Sequence, residues 1–158
     1  MEDMEREKRM VTIRLIRRED FQEVLEMMKV FYASEAVLHK ASEEVLRRDI
    51  EDCLGDMPFI EGYVFEDEGK IAGYAMVAKA YTTEYGGICI WVEDLYMKPE
   101  YRHRGLGSFF FAFLEKEYEG KAVRFKLEVE EENNTAIEAY KKNGYQISPY
   151  FEMTKEMS

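Results

Sequence analysis

The segment Ile71–Ala80, IAGYAMVAKA, is apolar at successive positions rather than at alternate ones. A strand with one wet face would alternate, so this run belongs in the middle of a sheet covered on both sides. The chain supplies candidate covers before and after it. Phe21, Val24, Met28 and Phe31 recur at helical spacing from Asp20 onward, with Leu25 and Tyr32 widening the stripe. Glu43 to Leu54 reads as a second amphipathic helix ended by Gly55. Gly105 to Glu117 is a third, with Leu106, Phe109, Phe110, Phe113 and Leu114 on one face, and Asn133 to Lys142 a fourth.

Strand patterns fill the remainder. VTIRLI, Val11 to Ile16, places β-branched residues at alternating positions, and Ile60 to Glu66 meets Ile71 to Ala80 across the turn Asp67-Glu68-Gly69-Lys70. Ile88 to Met97 is closed by Pro99, Val123 to Val129 follows, and Tyr145 to Thr154 is the last extended segment. The order β-α-α-β-β-β-α-β-α-β predicts an α/β fold in three layers, a mixed and mostly antiparallel sheet between helices. With no internal repeat or linker, residues 1–158 read as a single domain whose first nine residues are flexible.

Composition excludes several function classes. Acidic residues outnumber basic ones 33 to 22, giving a net charge of -11, which repels phosphate backbones and argues against nucleic acid as a partner. The same charge favours encounter with cationic small molecules. No apolar run is long enough to span a bilayer, and MEDMEREKR lacks the apolar core of a secretory signal, so the expected location is cytoplasmic. Cys53 and Cys89 match no zinc-ligand spacing and His39 and His103 are the only histidines, so no metal is expected.

The chemistry concentrates in EDLYMKPEYRHRGLGS, Glu93 to Ser108. A strand, a glycine turn and a helix start present backbone N–H groups and the positive end of a helix dipole, a place for phosphate or pyrophosphate. The spacing fails both the dinucleotide GxGxxG pattern and the P-loop pattern, leaving RxxGxG from Arg102 to Gly107. Downstream, Asn133, Ala136 and Tyr140 share one helical face and Gly144 ends the helix.

The pair RxxGxG and NxxAxxxYxxxGY resembles the two acyl-CoA-binding motifs of the general-control-related N-acetyltransferase (GNAT) superfamily. The resemblance implies acetyl-CoA as co-substrate. The backbone of Leu95, Tyr96 and Met97 would pair with the pantetheine arm, and the amides of Arg102, His103, Arg104, Gly105, Leu106, Gly107 and Ser108 would hold the pyrophosphate. Asn133 would bond the pantetheine, Ala136 would line the same face, and Tyr140 would sit beside the sulfur. His103 stands where a glycine is common in the superfamily.

Amine acylation needs a neutral nucleophile. Glu93 and Asp94 interrupt an otherwise apolar strand, an expensive placement unless they are employed. Glu93 reads as the base, direct or through water, Asp94 as substrate ligand or helper, and Tyr140 as the acid for the departing thiolate. A structural acidic pair at a β-bulge is the alternative. The Glu-Asp-aromatic stretch before the proline also resembles spermidine/spermine N-acetyltransferases, which implies that the acidic pair helps receive a polyamine. Glu35, Glu84, Glu93 and Asp94, with the aromatics Tyr32, Tyr81 and Trp91, are the expected anionic, aromatic-walled amine site. The expected function is acetyl transfer to a primary amine of a small molecule, polyamines included. A peptide or protein amine acetyltransferase and a non-catalytic acyl-CoA-sensing module are the alternatives. A homodimer is expected from the resemblance alone.

Overall fold

A computed structural model describes residues 11–157, so the expected flexible segment 1–9 lies outside the described residues. These residues divide into two compact units at Glu128/Val129. The first unit carries five strands in sequence order across one sheet: β1 (Val11–Leu15), β2 (Ile60–Asp67), β3 (Lys70–Thr82), β4 (Gly87–Met97) and β5 (Ala122–Leu127). Neighbours are antiparallel from β1 to β4, and β5 lies parallel to β4. The sheet is therefore mixed and mostly antiparallel, as its pattern predicts.

The doubly apolar run lies inside β3, where Ala72, Tyr74, Ala75, Met76 and Val77 are all exposed by 2% or less. One face is covered by α1 (Phe21–Tyr32) and α2 (Glu43–Leu54), with Val24, Leu25, Met28, Leu46 and Ile50 packed with Val64, Tyr74 and Met76. The other face takes α3 (Leu106–Glu117), whose buried Phe110 meets the rings of Tyr63 and Phe65 at 6.1 and 5.6 Å. Burial on both faces explains why β3 lacks alternation. The β2–β3 loop is Glu68-Gly69, both at positive φ (49° and 82°), the geometry that a tight two-residue hairpin demands.

The second unit, 129–157, holds α4 (Asn134–Lys142). Asn133 caps it, its Oδ1 accepting from the Ala136 N–H at 3.2 Å. Gly144, at φ 90°, ends it with paired bonds from the Gly144 and Tyr145 N–H groups to Lys141 and Tyr140 carbonyls. The expected final strand within Tyr145–Thr154 does not form. A strand needs a neighbour to take its backbone groups, and this unit contains no other strand. Pro149 also lacks an N–H to give, and Ile147, Tyr150, Phe151 and Met153 stand 64–100% exposed.

Candidate active site

The strand that carries Glu93 and Asp94 is irregular at that point. Met76 of β3 faces Asp94 whereas Val77 faces Val92, so Glu93 is the inserted residue of a β-bulge. Pairing of β4 with β5 ends at Val92 opposite Leu127. Beyond it, Leu95, Tyr96 and Met97 keep β3 as their neighbour and run past the end of β5. The bulge and the end of β5 together open the β4 edge over the residues that a ligand's amide groups would need.

The bulge separates the two acids. Glu93 is exposed, whereas Asp94 is 2% exposed, with one carboxylate oxygen accepting from the Tyr32 hydroxyl at 2.9 Å and the other from Tyr74 at 2.7 Å. Among the described residues the buried charged groups are Asp20 and Asp94. Asp20 is met by Arg14 at 2.7 Å, and although burial alone would raise its carboxyl, Arg14 and the Arg17 N–H hold it low. No basic side chain pairs with Asp94 among the described residues. Burial therefore dominates and pushes it up to about 6, against the bonds from Tyr74 and Tyr32, with Asp49 and Glu93 adding repulsion. Burial next to this carboxylate pushes the Tyr32 and Tyr74 phenols up as well, so both stay protonated as donors.

Past Met97 the chain makes a short 3-10 turn, Pro99–Tyr101, and then the glycine turn. His103 sits at φ 62° and Gly105 at φ 73°, both in the left-handed region that favours glycine. The turn thus asks for glycine at 103 and His103 accepts the strain. Arg102 is anchored, its Nε donating to the Met97 carbonyl at 3.1 Å and its guanidinium over the Tyr96 ring at 5.6 Å. Ser42 caps α2 and Asn133 caps α4, but α3 starts at Gly105 with no side-chain cap and no acid in its first turn. A Cβ at Gly107 would meet nothing within 4 Å, so packing does not explain that glycine, and space is left beside the helix start. Uncapped amides with open space beside them fit a diphosphate.

On α4, partial burial pushes the Tyr140 phenol up, and its ring lies 6.3 Å from Tyr145. Asn133 spends its Oδ1 on the helix cap, and Ala136 supplies the N–H that it receives.

The expected acceptor residues separate. Tyr32, Glu93 and Asp94 meet near the bulge, and Glu35 lies exposed just after α1. Tyr81 pairs with Ile88 five residues from Met76, about 17 Å along β3 at ~3.4 Å per residue. Glu84 lies in the turn beyond, 4.0 Å from Arg124. Sequence reasoning missed Tyr74, hidden in an apolar run, and Asp49, half-buried on α2 with its carboxyl pushed up by burial and by Asp52. Asp49 was findable, since it lies three residues after Leu46 on the apolar stripe of α2.

Among the described residues no His, Cys, Asp or Glu group clusters as a metal site would, and no helix is long and apolar enough to cross a membrane.

Residues 19–145 match the model of the acetyltransferase (GNAT) family. A thialysine N-epsilon-acetyltransferase of Mus musculus is 30% identical over 145 residues, covering 85% of this chain and 83% of that protein. The Sus scrofa protein of the same name is 34% identical over 114 residues, covering 66% of this chain but only 65% of its own length. Among solved structures, a possible acetyltransferase from Clostridium difficile 630 superposes with a TM-score of 0.82 at 20% identity, over 94% of this chain and 99% of that one. An aminoglycoside N-acetyltransferase in complex with CoA gives 0.75 at 12% identity, over 94% and 95%. At such identities the structures speak for the fold.

Proposed function

The chain belongs to the acetyltransferase (GNAT) family, and from that premise we propose that it moves acetyl from acetyl-CoA to the primary amine of a small, cationic molecule, as one acyltransferase domain acting through a ternary complex. The observation that carries the reading is the β4 bulge, which sets exposed Glu93 beside buried Asp94 at the open strand edge. Acetyl-CoA supplies the activated thioester.

The uncapped start of α3, from Arg102 through Ser108, binds the diphosphate, and the β4 backbone at Leu95–Met97 orients the pantetheine arm. Asn133 and Ala136 are assigned to the same arm by their motif. An alkylamine with a pKa near ~10.4 is protonated at pH 7, and freeing its lone pair costs roughly 5 kcal/mol. Glu93 takes that proton. Asp94 has both oxygens occupied by phenols, so its role is to add negative charge beside the incoming ammonium and to hold Tyr32 in place. Tyr140, kept protonated by burial, holds the proton for the leaving sulfur.

Acceptors of the polyamine type suit the acidic lining, and the relatives named for thialysine bring a side-chain amine into range. Glu35, exposed just after α1, is retained as an outer acceptor contact, whereas Tyr81 and Glu84, farther along β3 and its turn, are left out of this reading. The two free thiols, Cys53 and Cys89, agree with a cytoplasmic protein, and the exposed apolar Tyr150–Met153 stretch offers a contact for a homodimer.

Acetyl-CoA-dependent thiol release against polyamines, amino acids, N-terminal peptides and aminoglycosides tests the reading. Turnover with a small amine is expected, and Tyr140→Phe lowers kcat by roughly tenfold to a thousandfold. Tight acetyl-CoA binding without turnover of any amine would replace it with a sensing module. Preference for peptide N-termini would replace it with a peptide acetyltransferase.

A further inference from the structure

Tyr74 stands in the middle of the apolar run of β3 and is 0% exposed. Its ring meets Phe31 edge-on at 6.3 Å and Tyr96 at 6.1 Å, contacts that a phenylalanine would make equally well. What phenylalanine lacks is the hydroxyl, which donates to Asp94 at 2.7 Å and has no other hydrogen-bond partner among the described residues. A buried hydroxyl is costly unless it is bonded, so a tyrosine at this place has its reason in Asp94.

The β4 bulge decides which acid receives that bond. Val77 faces Val92 and Met76 faces Asp94, so the inserted Glu93 turns Asp94 toward the Tyr74 side of the sheet in its own stead. Tyr74 is then the diagonal neighbour of Asp94, two residues along β3 from Met76, a separation that an aromatic side chain bridges. Tyr32 reaches the other carboxylate oxygen from the end of α1 at 2.9 Å. The further ionisable groups around Asp94 are Glu93 on β4 and Asp49 on α2, with the Cys53 thiol of α2 also within its field. None of them brings a positive charge, so the two phenols are what opposes burial of this carboxylate, Tyr74 foremost.

We propose that Tyr74, together with Tyr32, clamps Asp94 as a carboxylate facing the acceptor's ammonium, which makes Tyr74 a positioning residue for acetyl transfer. The inference rests on the acetyl-transfer reading and adds to it a buried group that acts through Asp94 alone. Burial already pushes Asp94 up to about 6, so its charge at neutral pH depends on keeping both donors. Loss of one charge-assisted bond changes a protonation equilibrium by about tenfold to a hundredfold, enough to discharge much of Asp94 at pH 7.

The test is kcat/KM for a small amine, compared between wild type and Tyr74→Phe at each pH from about 6 to about 8.5. Taking the ratio cancels the ionisation of the amine and of Glu93, which the two proteins share. Wild type is expected to exceed Tyr74→Phe by about fivefold or more at pH 6, chiefly through KM for the amine, and by less than about twofold at pH 8.5. In an Asp94→Asn background the same substitution should give a ratio that does not vary with pH. Tyr32→Phe removes the donor to the other oxygen from a less buried position; it should show the same convergence at alkaline pH, and it carries the test if Tyr74→Phe does not fold. A ratio constant across the range would mean that Tyr74 only fills space, and a convergence that survives Asp94→Asn would place its cause at another group. Either result overturns the inference while leaving acetyl transfer intact. No turnover of any amine by wild type overturns the acetyl-transfer reading and this inference with it.

Discussion

Two carboxylates on opposite faces of the same sheet each collect two tyrosine hydroxyls, yet their surroundings push them in opposite directions. On the α3 face, Glu61 accepts from Tyr63 at 2.7 Å and from Tyr118, and Lys79 adds a cation at 2.6 Å. On the α1–α2 face, Asp94 accepts from Tyr32 and Tyr74 with no cation beside it among the described residues. Burial raises both carboxyls. Lys79 and the two phenols outweigh it at Glu61, whose value ends below the usual carboxylate range, whereas at Asp94 burial wins. A tyrosine-bonded carboxylate is therefore not in itself a mark of chemistry. The missing counter-charge is, because it leaves negative potential available for an incoming ammonium.

The largest effect expected from this contrast is on activity. Glu93→Gln, on the Asp94 side, should lower kcat/KM for acetyl transfer by roughly a hundredfold to ten-thousandfold at pH 7. Glu61→Gln should leave it within about threefold in the same thiol-release assay. Near-normal turnover in Glu93→Gln, paired with loss in Asp94→Asn, would transfer the base role to Asp94.

Next comes the pH dependence of stability. The folded value of Asp94 lies above its ordinary 3.8, so folding binds a proton and stability from this group declines as pH rises from 3.8 to about 6. That rise corresponds to roughly 3 kcal/mol. Urea unfolding of wild type and Asp94→Asn should show the difference shifting toward the variant by roughly 2 kcal/mol between pH 4 and pH 7. A pH-independent difference would show that Asp94 titrates normally.

Glu61 gives the smallest effect and the opposite sign. Its lowered folded value contributes stability above 4.5 that is lost as pH falls through the folded value. Glu61→Gln should cost about 1–3 kcal/mol at neutral pH, since it leaves Lys79 without its acid. The melting temperature should fall by about 3–10 °C. An unchanged melting temperature would remove Glu61 from the fold's stabilising set and weaken the comparison.

Much of the fold was legible in sequence because its signals are local. Helix ends at Leu54 and Lys142 follow from Gly55 and Gly144, the β2–β3 hairpin from Glu68-Gly69, and the central strand from a run without alternation. The final strand was not legible, since Tyr145–Thr154 has extended-chain residues but no neighbouring strand in its unit. In the site, the motif spacing located the glycine turn and the acidic pair. It also grouped Tyr81 and Glu84 with them, although about 17 Å of β3 lies between. Side-chain type alone carries no distance.

The sequence by itself determined the layers, the turn geometry and the candidate diphosphate cradle, because periodicity, glycine and proline act over a few residues. Only the tertiary structure decided that Glu93 is the bulge residue and Asp94 the buried one. It alone brought Tyr32 and Tyr74 onto that carboxylate from 62 and 20 residues away. Desolvation and charge pairing depend on which atoms surround a group in space, and neighbours in sequence do not specify them.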